Sequence, residues 1–272
     1  MSRTRADLCP GALRPWPASD GLLVRLRLIG GRVSAATLRS LVAVAEEYAD
    51  GRIHVTGRAN LQVRGFSGLD RALTPAALRA LQDTGLLPTR THELVRNVLA
   101  SPGFDDALLD ELDRRLCADP ALAGLSARFL FVLDDGRGDL VDRSCDLGLV
   151  VLSDTEAQLR VGDGWGDVLP LDEAAVRLAG LAADFVRVRG SGPTAPWHVR
   201  ELAEPLVPPA EPDPRVPAPS GPLPYDDRHL AVPDEGLDRA AVEALPDGPL
   251  VVTPWRGLLL PAPTAPALEE IA

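Results

Sequence analysis

Residues 53–66 read Ile-His-Val-Thr-Gly-Arg-Ala-Asn-Leu-Gln-Val-Arg-Gly-Phe. Their second part alternates like a strand. Leu61, Val63 and Gly65 are expected on one face, Asn60, Gln62 and Arg64 on the other. The first face can join a core. The second is a row of side-chain donors with no carboxylate among them. Such a row needs an acceptor from outside and points to an anionic, carboxylate-rich ligand.

The elements around this strand decide the fold. Residues 22–29 alternate, with Leu22, Val24, Leu26 and Leu28 on one face and Arg25 and Arg27 on the other, until Gly30-Gly31 ends the strand. Ser34 is a candidate N-cap, and Leu38, Leu41, Val42 and Ala45 follow at helical spacing as far as Tyr48. Asp50-Gly51 closes that helix and opens a strand over 52–56. Thr56-Gly57 leads into the strand at 60–66, and Thr74-Pro75 starts a helix to about Asp83. The order β-α-β-β-α is the ferredoxin-like pattern.

From residue 86 the texture changes. Residues 105–117 and 171–188 have helical spacing, 127–133 reads as a strand, and 145–152 with 157–161 as a hairpin around Ser153-Asp154. This is a second, α/β unit. Residues 204–224 hold nine prolines and predict an extended, semi-rigid linker. The tail then resembles the front: a short helical pattern at 237–244, Asp247-Gly248, and a hairpin over 249–260 in which Thr253 and Arg256 match Thr56 and Arg58. Chance likeness of two hairpins is the competing account. The expected organisation is 1–85, a ferredoxin-like half domain; 86–203, an α/β unit; 204–224, a linker; and 225–272, a second half.

Composition narrows the function. The 272 residues are 46% hydrophobic and 25% charged, enough for a globular core. A net charge of -11 argues against a general nucleic-acid or acidic-membrane binder. All 28 basic residues are Arg, which fits biased genomic base composition. Cys9, Cys117 and Cys145 form no Cys-x-x-Cys pair, so no zinc site or dithiol motif is indicated. His54, His92, His198 and His229 have no metal-ligand spacing, and Asp134-Asp135-Gly136 reads as a turn rather than a cation site. With no secretory signal and no run of apolar residues long enough to span a bilayer, a soluble cytoplasmic protein is expected.

Arg58, Arg64, Arg96 and Arg128 interrupt apolar runs. A buried guanidinium without a partner is costly, and each bond to a carboxylate contributes on the order of 1.5–3 kcal/mol. Singly, each fits an ordinary salt bridge. Arg58 and Arg64 flanking Asn60 and Gln62, and Arg96 beside Asn97, favour a ligand.

Four motifs carry a resemblance: Cys-Pro-Gly-Ala-Leu-Arg-Pro at 9–15, Asp-Gly-Leu-Leu-Val-Arg-Leu at 20–26, Thr-Gly-Arg-Ala-Asn-Leu-Gln-Val-Arg-Gly at 56–65 and Val-Arg-Asn-Val-Leu-Ala-Ser-Pro at 95–102. With Asp-Leu-Gly-Leu-Val at 146–150 and Thr-Pro-Trp-Arg-Gly-Leu-Leu-Leu at 253–260, the chain resembles the nitrite/sulfite reductase superfamily and is most similar within it to the precorrin-3B synthases. The resemblance implies an α+β architecture: two ferredoxin-like halves, the second truncated, with an α/β tetrapyrrole-binding unit. It implies a carboxylate-rich tetrapyrrole, precorrin-3A or sirohaem, met by Arg58, Asn60, Gln62, Arg64, Arg96, Asn97 and Arg128. Leu130 stands where the family has a second basic residue after Arg128. No catalytic acid, base or metal ligand is implied for a named residue.

The family also holds a [4Fe–4S] cluster through four cysteines in a C-terminal segment, together with iron or sirohaem. Four thiolates are needed and three are present, so a C-terminally shortened member is expected, with a separate polypeptide as a possible carrier of the cluster half. The leading expectation is an oxidoreductase of cobalamin biosynthesis, performing oxygen-dependent hydroxylation and lactone formation on precorrin-3A. The alternatives are a fragment of a sirohaem-dependent nitrite or sulfite reductase, or a non-catalytic tetrapyrrole-binding partner subunit.

Overall fold

A computed structural model describes residues 7–192, 194–222 and 228–262. The front contains β1 (Trp16–Ala18), β2 (Gly21–Leu26), β3 (Arg32–Ser34), α1 (Ala35–Tyr48), β4 (His54–Val55), β5 (Leu61–Phe66), a small hairpin of β6 (Gly68–Leu69) and β7 (Ala72–Leu73), and α2 (Pro75–Asp83). The middle contains β8 (Val98–Ala100), α3 (Asp106–Ala118), β9 (Phe131–Asp134), β10 (Leu147–Val151), β11 (Glu156–Val161), β12 (Gly164–Pro170) and α4 (Ala174–Arg189). The tail contains β13 (His229–Ala231), α5 (Arg239–Glu243), β14 (Pro249–Thr253) and β15 (Gly257–Leu259).

The helix starts follow local chemistry. Ser34 Oγ accepts the Thr37 N–H at 3.0 Å and Thr74 Oγ1 that of Ala77 at 3.2 Å, with Pro75 in the first turn, where its missing N–H costs nothing. Asp238 does the same for Ala241 at 3.0 Å.

The first sheet has the order β1-β2-β5-β4, all antiparallel. The middle sheet is β12-β11-β10-β9-β8, parallel over β8, β9 and β10. The third sheet, β13-β15-β14-β3, joins the tail to a strand from the front. Leu38, Leu41 and Val42 of α1 pack with Leu26, Leu61 and Val63 of the first sheet and with Leu250, Val252 and Leu258 of the tail, in one core. Each fully buried side chain of this kind contributes about 1.5–3 kcal/mol. A second core lies in the middle unit around Phe129, Phe131 and Phe185.

Front and tail follow the same order, strand, helix, strand, strand, and the same pairing: β2-β5-β4 corresponds to β13-β15-β14. They also exchange edges. Ile53, entering β4, bridges Leu237 just before α5, while Leu250 of β14 pairs with Val33 just before α1. Helices α1 and α5 lie together, tied by Arg239 to Glu46 and by Arg39 to the Leu245 carbonyl and Asp247.

The tail match expected from sequence is displaced by one residue. Thr56 N donates to Asn60 O, and Thr253 pairs with Gly257, so both hairpins have three-residue loops. Arg256 therefore takes the place of Ala59, and Trp255 that of Arg58. The alternation expected through Gly65 also stops early. Leu22 pairs with Phe66 but Val24 with Val63, so β5 carries a bulge, and Gly65 adopts φ 80° there. Phe66 is thereby turned inward.

In the middle unit the expected strand at 127–133 begins only at Phe131, because residues 126–129 form a turn closed by Phe129 N to Ser126 O. The helices and the hairpin stand where expected. The proline-rich segment lies along β11 and β12. The buried Gln158 amide donates to Glu211 O and accepts the Asp213 N–H, each at 2.8 Å, and Ala210 N donates to Trp165 O. The expected boundary at 224–225 and the tail residues 263–272 lie outside the described residues.

Candidate functional site

The polar face of the first sheet forms a row across three strands. Gln62 of β5 pairs with His54 on one side and Arg25 on the other. Arg25 Nη2 donates to Gln62 Oε1 at 3.4 Å. Arg64 follows two residues along β5, its Nε bonded to Asp20 at 2.8 Å. At the end of the row is the loop of residues 56–60, in which Thr56 Oγ1 accepts the N–H groups of Arg58 and Asn60 at 3.4 and 3.3 Å. These residues enclose a cavity of about 480 Å³, closed from the other side by Val232, Pro233, Asp234 and Arg256 of the tail.

Positive charge here is unevenly neutralised: Arg64 is paired with Asp20, Arg58 with no carboxylate among the described residues. Arg58 makes no ion pair among the described residues; its Nη1 donates to the Arg128 carbonyl at 3.4 Å. Arg25 Nε is buried without a hydrogen-bond partner. Burial holds the Arg25 guanidinium below its ordinary range, and the nearby Arg58 and Arg128 cations push it the same way. Arg128 stands beside the cavity with its guanidinium 5.4 Å from the Trp197 ring and 4.0 Å from Asp7. Among the described residues, the carboxylate that Arg256 reaches is that of Asp234, at 3.7 Å. An anion entering the cavity would meet Arg58, which has no carboxylate partner among the described residues, beside Arg25, while Arg64 and Arg256 would exchange their carboxylates for it.

Three expected site residues are placed otherwise. Asn60 is buried, and its side-chain oxygen accepts the Leu28 N–H at 2.9 Å, so it joins the segment after β2 to the loop. Arg96 is bound bidentately by Asp113 of α3, at 2.6 and 2.8 Å, and faces a different cavity of about 850 Å³. Asn97 is buried between Arg27 Nε, which it accepts at 2.9 Å, and the Ala127 carbonyl, to which it donates at 2.8 Å. Arg27 holds the N-terminal segment through the Pro10 carbonyl; burial lowers its pKa to about 10. Arg58, Gln62 and Arg64 are brought together as expected, with Arg128 adjacent. Sequence reasoning omitted Arg25, His54 and Arg256. Arg25 was signalled by its outward place on β2; His54 and Arg256 needed the register.

Asp134, Asp135 and Asp139 have carboxylate oxygens within 4.8 Å of one another. Asp134 accepts the N–H groups of Gly136, Gly138 and Leu140, so its oxygens shape a turn. The three cysteines do not suit an iron–sulfur cluster. None falls in a group of three or more metal-ligating side chains among the described residues. All three thiols are held above their usual pKa by burial, Cys145 at about 11, whereas a ligand must be a thiolate. The four cluster cysteines are absent. No helix of the described residues is long and apolar enough to cross a membrane.

Residues 17–83 match the family model of the nitrite/sulfite reductase ferredoxin-like half domain. The chain thus carries an α+β ferredoxin-like domain of the nitrite/sulfite reductase type, related to sulfite reductases and precorrin enzymes. Among curated proteins it is 35% identical to a Sinorhizobium precorrin-3B synthase over 83 residues, 30% of this chain and 17% of that protein. It is 27% identical to the Mycobacterium tuberculosis sulfite reductase [ferredoxin] over 144 residues, 49% of this chain and 25% of that protein. The solved structure of Mycobacterium tuberculosis NirA superposes with a TM-score of 0.60 at 22% identity, over 89% of this chain and 54% of that one, a likeness of fold. The matched stretches are a quarter or less of the two curated relatives' length.

Proposed function

We propose that the chain binds a carboxylate-rich tetrapyrrole at the arginine cavity, as a relative of the sirohaem-dependent reductases. The observation that carries this reading is the set of cations around one cavity, Arg25, Arg58, Arg64 and Arg256, with a buried Arg25 Nε left without an acceptor. Arg58 and Gln62 would meet carboxylates directly. Arg64 would do so after releasing Asp20, and Arg128 would stand at the rim. Bidentate guanidinium–carboxylate pairing suits this ligand class. The tail would act as a second ferredoxin-like half, closing the cavity. The broader span of the sulfite reductase match, 49% of the chain, favours sirohaem.

Sirohaem would supply redox chemistry at its iron when bound; the residues of this chain hold its periphery. These 272 residues hold no four-cysteine set, so the part proposed for them is to bind the tetrapyrrole rather than the cluster. A second reading, an oxygen-dependent precorrin-3B synthase acting on precorrin-3A, is favoured by the 35% identity over 83 residues. Titration of the purified chain with sirohaem and with precorrin-3A, followed by absorbance, tests both. Saturable binding of sirohaem at one per chain is expected. Preference for precorrin-3A would move the assignment to the second reading, and binding of neither would overturn the proposal.

A further inference from the structure

Three backbone sites in the described chain place a residue other than glycine at φ between 50° and 61°. Two have ordinary accounts. Asp70 and Arg71, at φ 50° and 61°, form the two-residue turn between β6 and β7, a connection that requires positive φ at both central positions. Ala59, at φ 53°, ends the three-residue loop after β4, and its side chain is buried against Gly31. The third is Arg256, at φ 57°. It fills the same position of the matching loop in the tail, where glycine or asparagine is favoured.

Packing does not explain the arginine. Its side chain is 65% exposed, and its ion pair with Asp234, itself 93% exposed, spans 3.7 Å. A pair of that kind contributes little to a fold. Yet the position carries the guanidinium to the cavity opposite Arg25, Arg58 and Arg64, from a different sheet. A residue held in an unfavoured conformation without a packing return points to a role in binding.

We infer that Arg256 is a ligand clamp: it closes the arginine cavity from the tail and binds a peripheral carboxylate of the tetrapyrrole on the side facing away from β5. This deepens the tetrapyrrole reading and rests on it. Binding then couples front to tail, since the ligand is held by guanidinium groups of both sheets. Asp234 is the resting partner that the ligand carboxylate replaces.

The test uses the full chain and uroporphyrin, an octacarboxylate porphyrin, as probe. Arg256→Gly relieves the backbone and removes the cation. It is expected to raise the melting temperature of the unliganded protein by a degree or more while weakening uroporphyrin binding about tenfold, roughly one charge-assisted hydrogen bond. Arg256→Lys keeps a point charge at the same backbone but loses two-pronged pairing, and is expected to bind more weakly than the wild type and more tightly than Arg256→Gly. Unchanged affinity in Arg256→Gly, with the wild type binding normally, overturns the clamp and leaves the tetrapyrrole reading standing. A melting temperature that falls in that variant also overturns it, since Arg256 would then serve the fold. A wild-type chain that does not bind uroporphyrin or sirohaem overturns both.

Discussion

Residues 50–64 and 247–261 follow the same backbone path in two different sheets. Each begins at Asp-Gly after a helix, forms an edge-exchanging strand, turns over a Thr and a three-residue loop, and returns along a second strand. Aligned by their strand pairings, Ile53 corresponds to Leu250, Thr56 to Thr253 and Leu61 to Leu258. The polar face differs throughout. Arg25 corresponds to His229, Arg58 to Trp255, Gln62 to Leu259 and Arg64 to Pro261. The shared positions make the hairpin, and the differing ones make the site. The same exchange of edges leaves a cavity on each side: the smaller one beside the front hairpin collects arginines, and the larger one beside β14 has two of its three arginines matched by acids of α3, Arg96 with Asp113 and Arg32 with Asp106 and Asp110, and the third, Arg27, bonded to Asn97 and to backbone carbonyls.

The largest effect is expected from giving the front hairpin the residues of the tail. Arg58→Trp with Arg25→His removes two cations, each contributing on the order of 1.5–3 kcal/mol to a carboxylate contact. Affinity for sirohaem or uroporphyrin should fall more than about a hundredfold, with the circular dichroism spectrum unchanged. Retained affinity would mean that the front hairpin is not the binding face.

The shared positions should behave alike. Ile53→Ala and Leu250→Ala each open a void in the common core at an exchanged edge. Each should cost about 2–5 kcal/mol in urea denaturation. A large cost for one and none for the other would break the equivalence of the two hairpins.

A smaller difference separates the two threonines. Thr56→Val removes the acceptor for the Arg58 and Asn60 N–H groups, and Thr253→Val removes the partner of His229 Nε2, at 2.8 Å. Each should cost about 1 kcal/mol of stability. Only Thr56→Val should also weaken ligand binding, by a few fold, because only that loop presents Arg58.

The smallest effect concerns Asp7, which ties the N-terminal segment to the rim near Arg128. Burial alone would raise its pKa, but hydrogen bonds from Cys9, Ser126 and Ala127 hold it below the ordinary value of 3.8. A carboxylate with a depressed folded pKa contributes stability above its unfolded pKa and loses it as pH falls through the folded value. Asp7→Asn should therefore lower stability at pH 7 by under ~1 kcal/mol, and the gap from wild type should close in strong acid.

Much of this was legible in the sequence because it rests on local chemistry. Ser34, Thr74-Pro75 and Asp50-Gly51 mark element ends directly, and alternation placed Gln62 and Arg64 on one face beside Arg58. What was not legible depends on distant partners. Arg96 is neutralised by Asp113, seventeen positions along the chain on a helix, and a spacing of that length carries no signal. Asn60 and Asn97 are polar residues of the right type, but backbone groups at Leu28 and Ala127 occupy them. The bulge at Gly65 and the one-residue displacement of Arg256 are matters of register, which alternation alone does not fix.

The central claim is that the anion site belongs to the front hairpin and is closed by the tail. A crystal structure of the chain with sirohaem or uroporphyrin tests it most directly. The account predicts ligand carboxylates within about 3 Å of the Arg58 and Arg25 guanidinium groups, with Arg256 across the ligand. A tetrapyrrole seated instead against Trp255 and Leu259, or in the larger cavity with the Arg96–Asp113 pair opened, would contradict it.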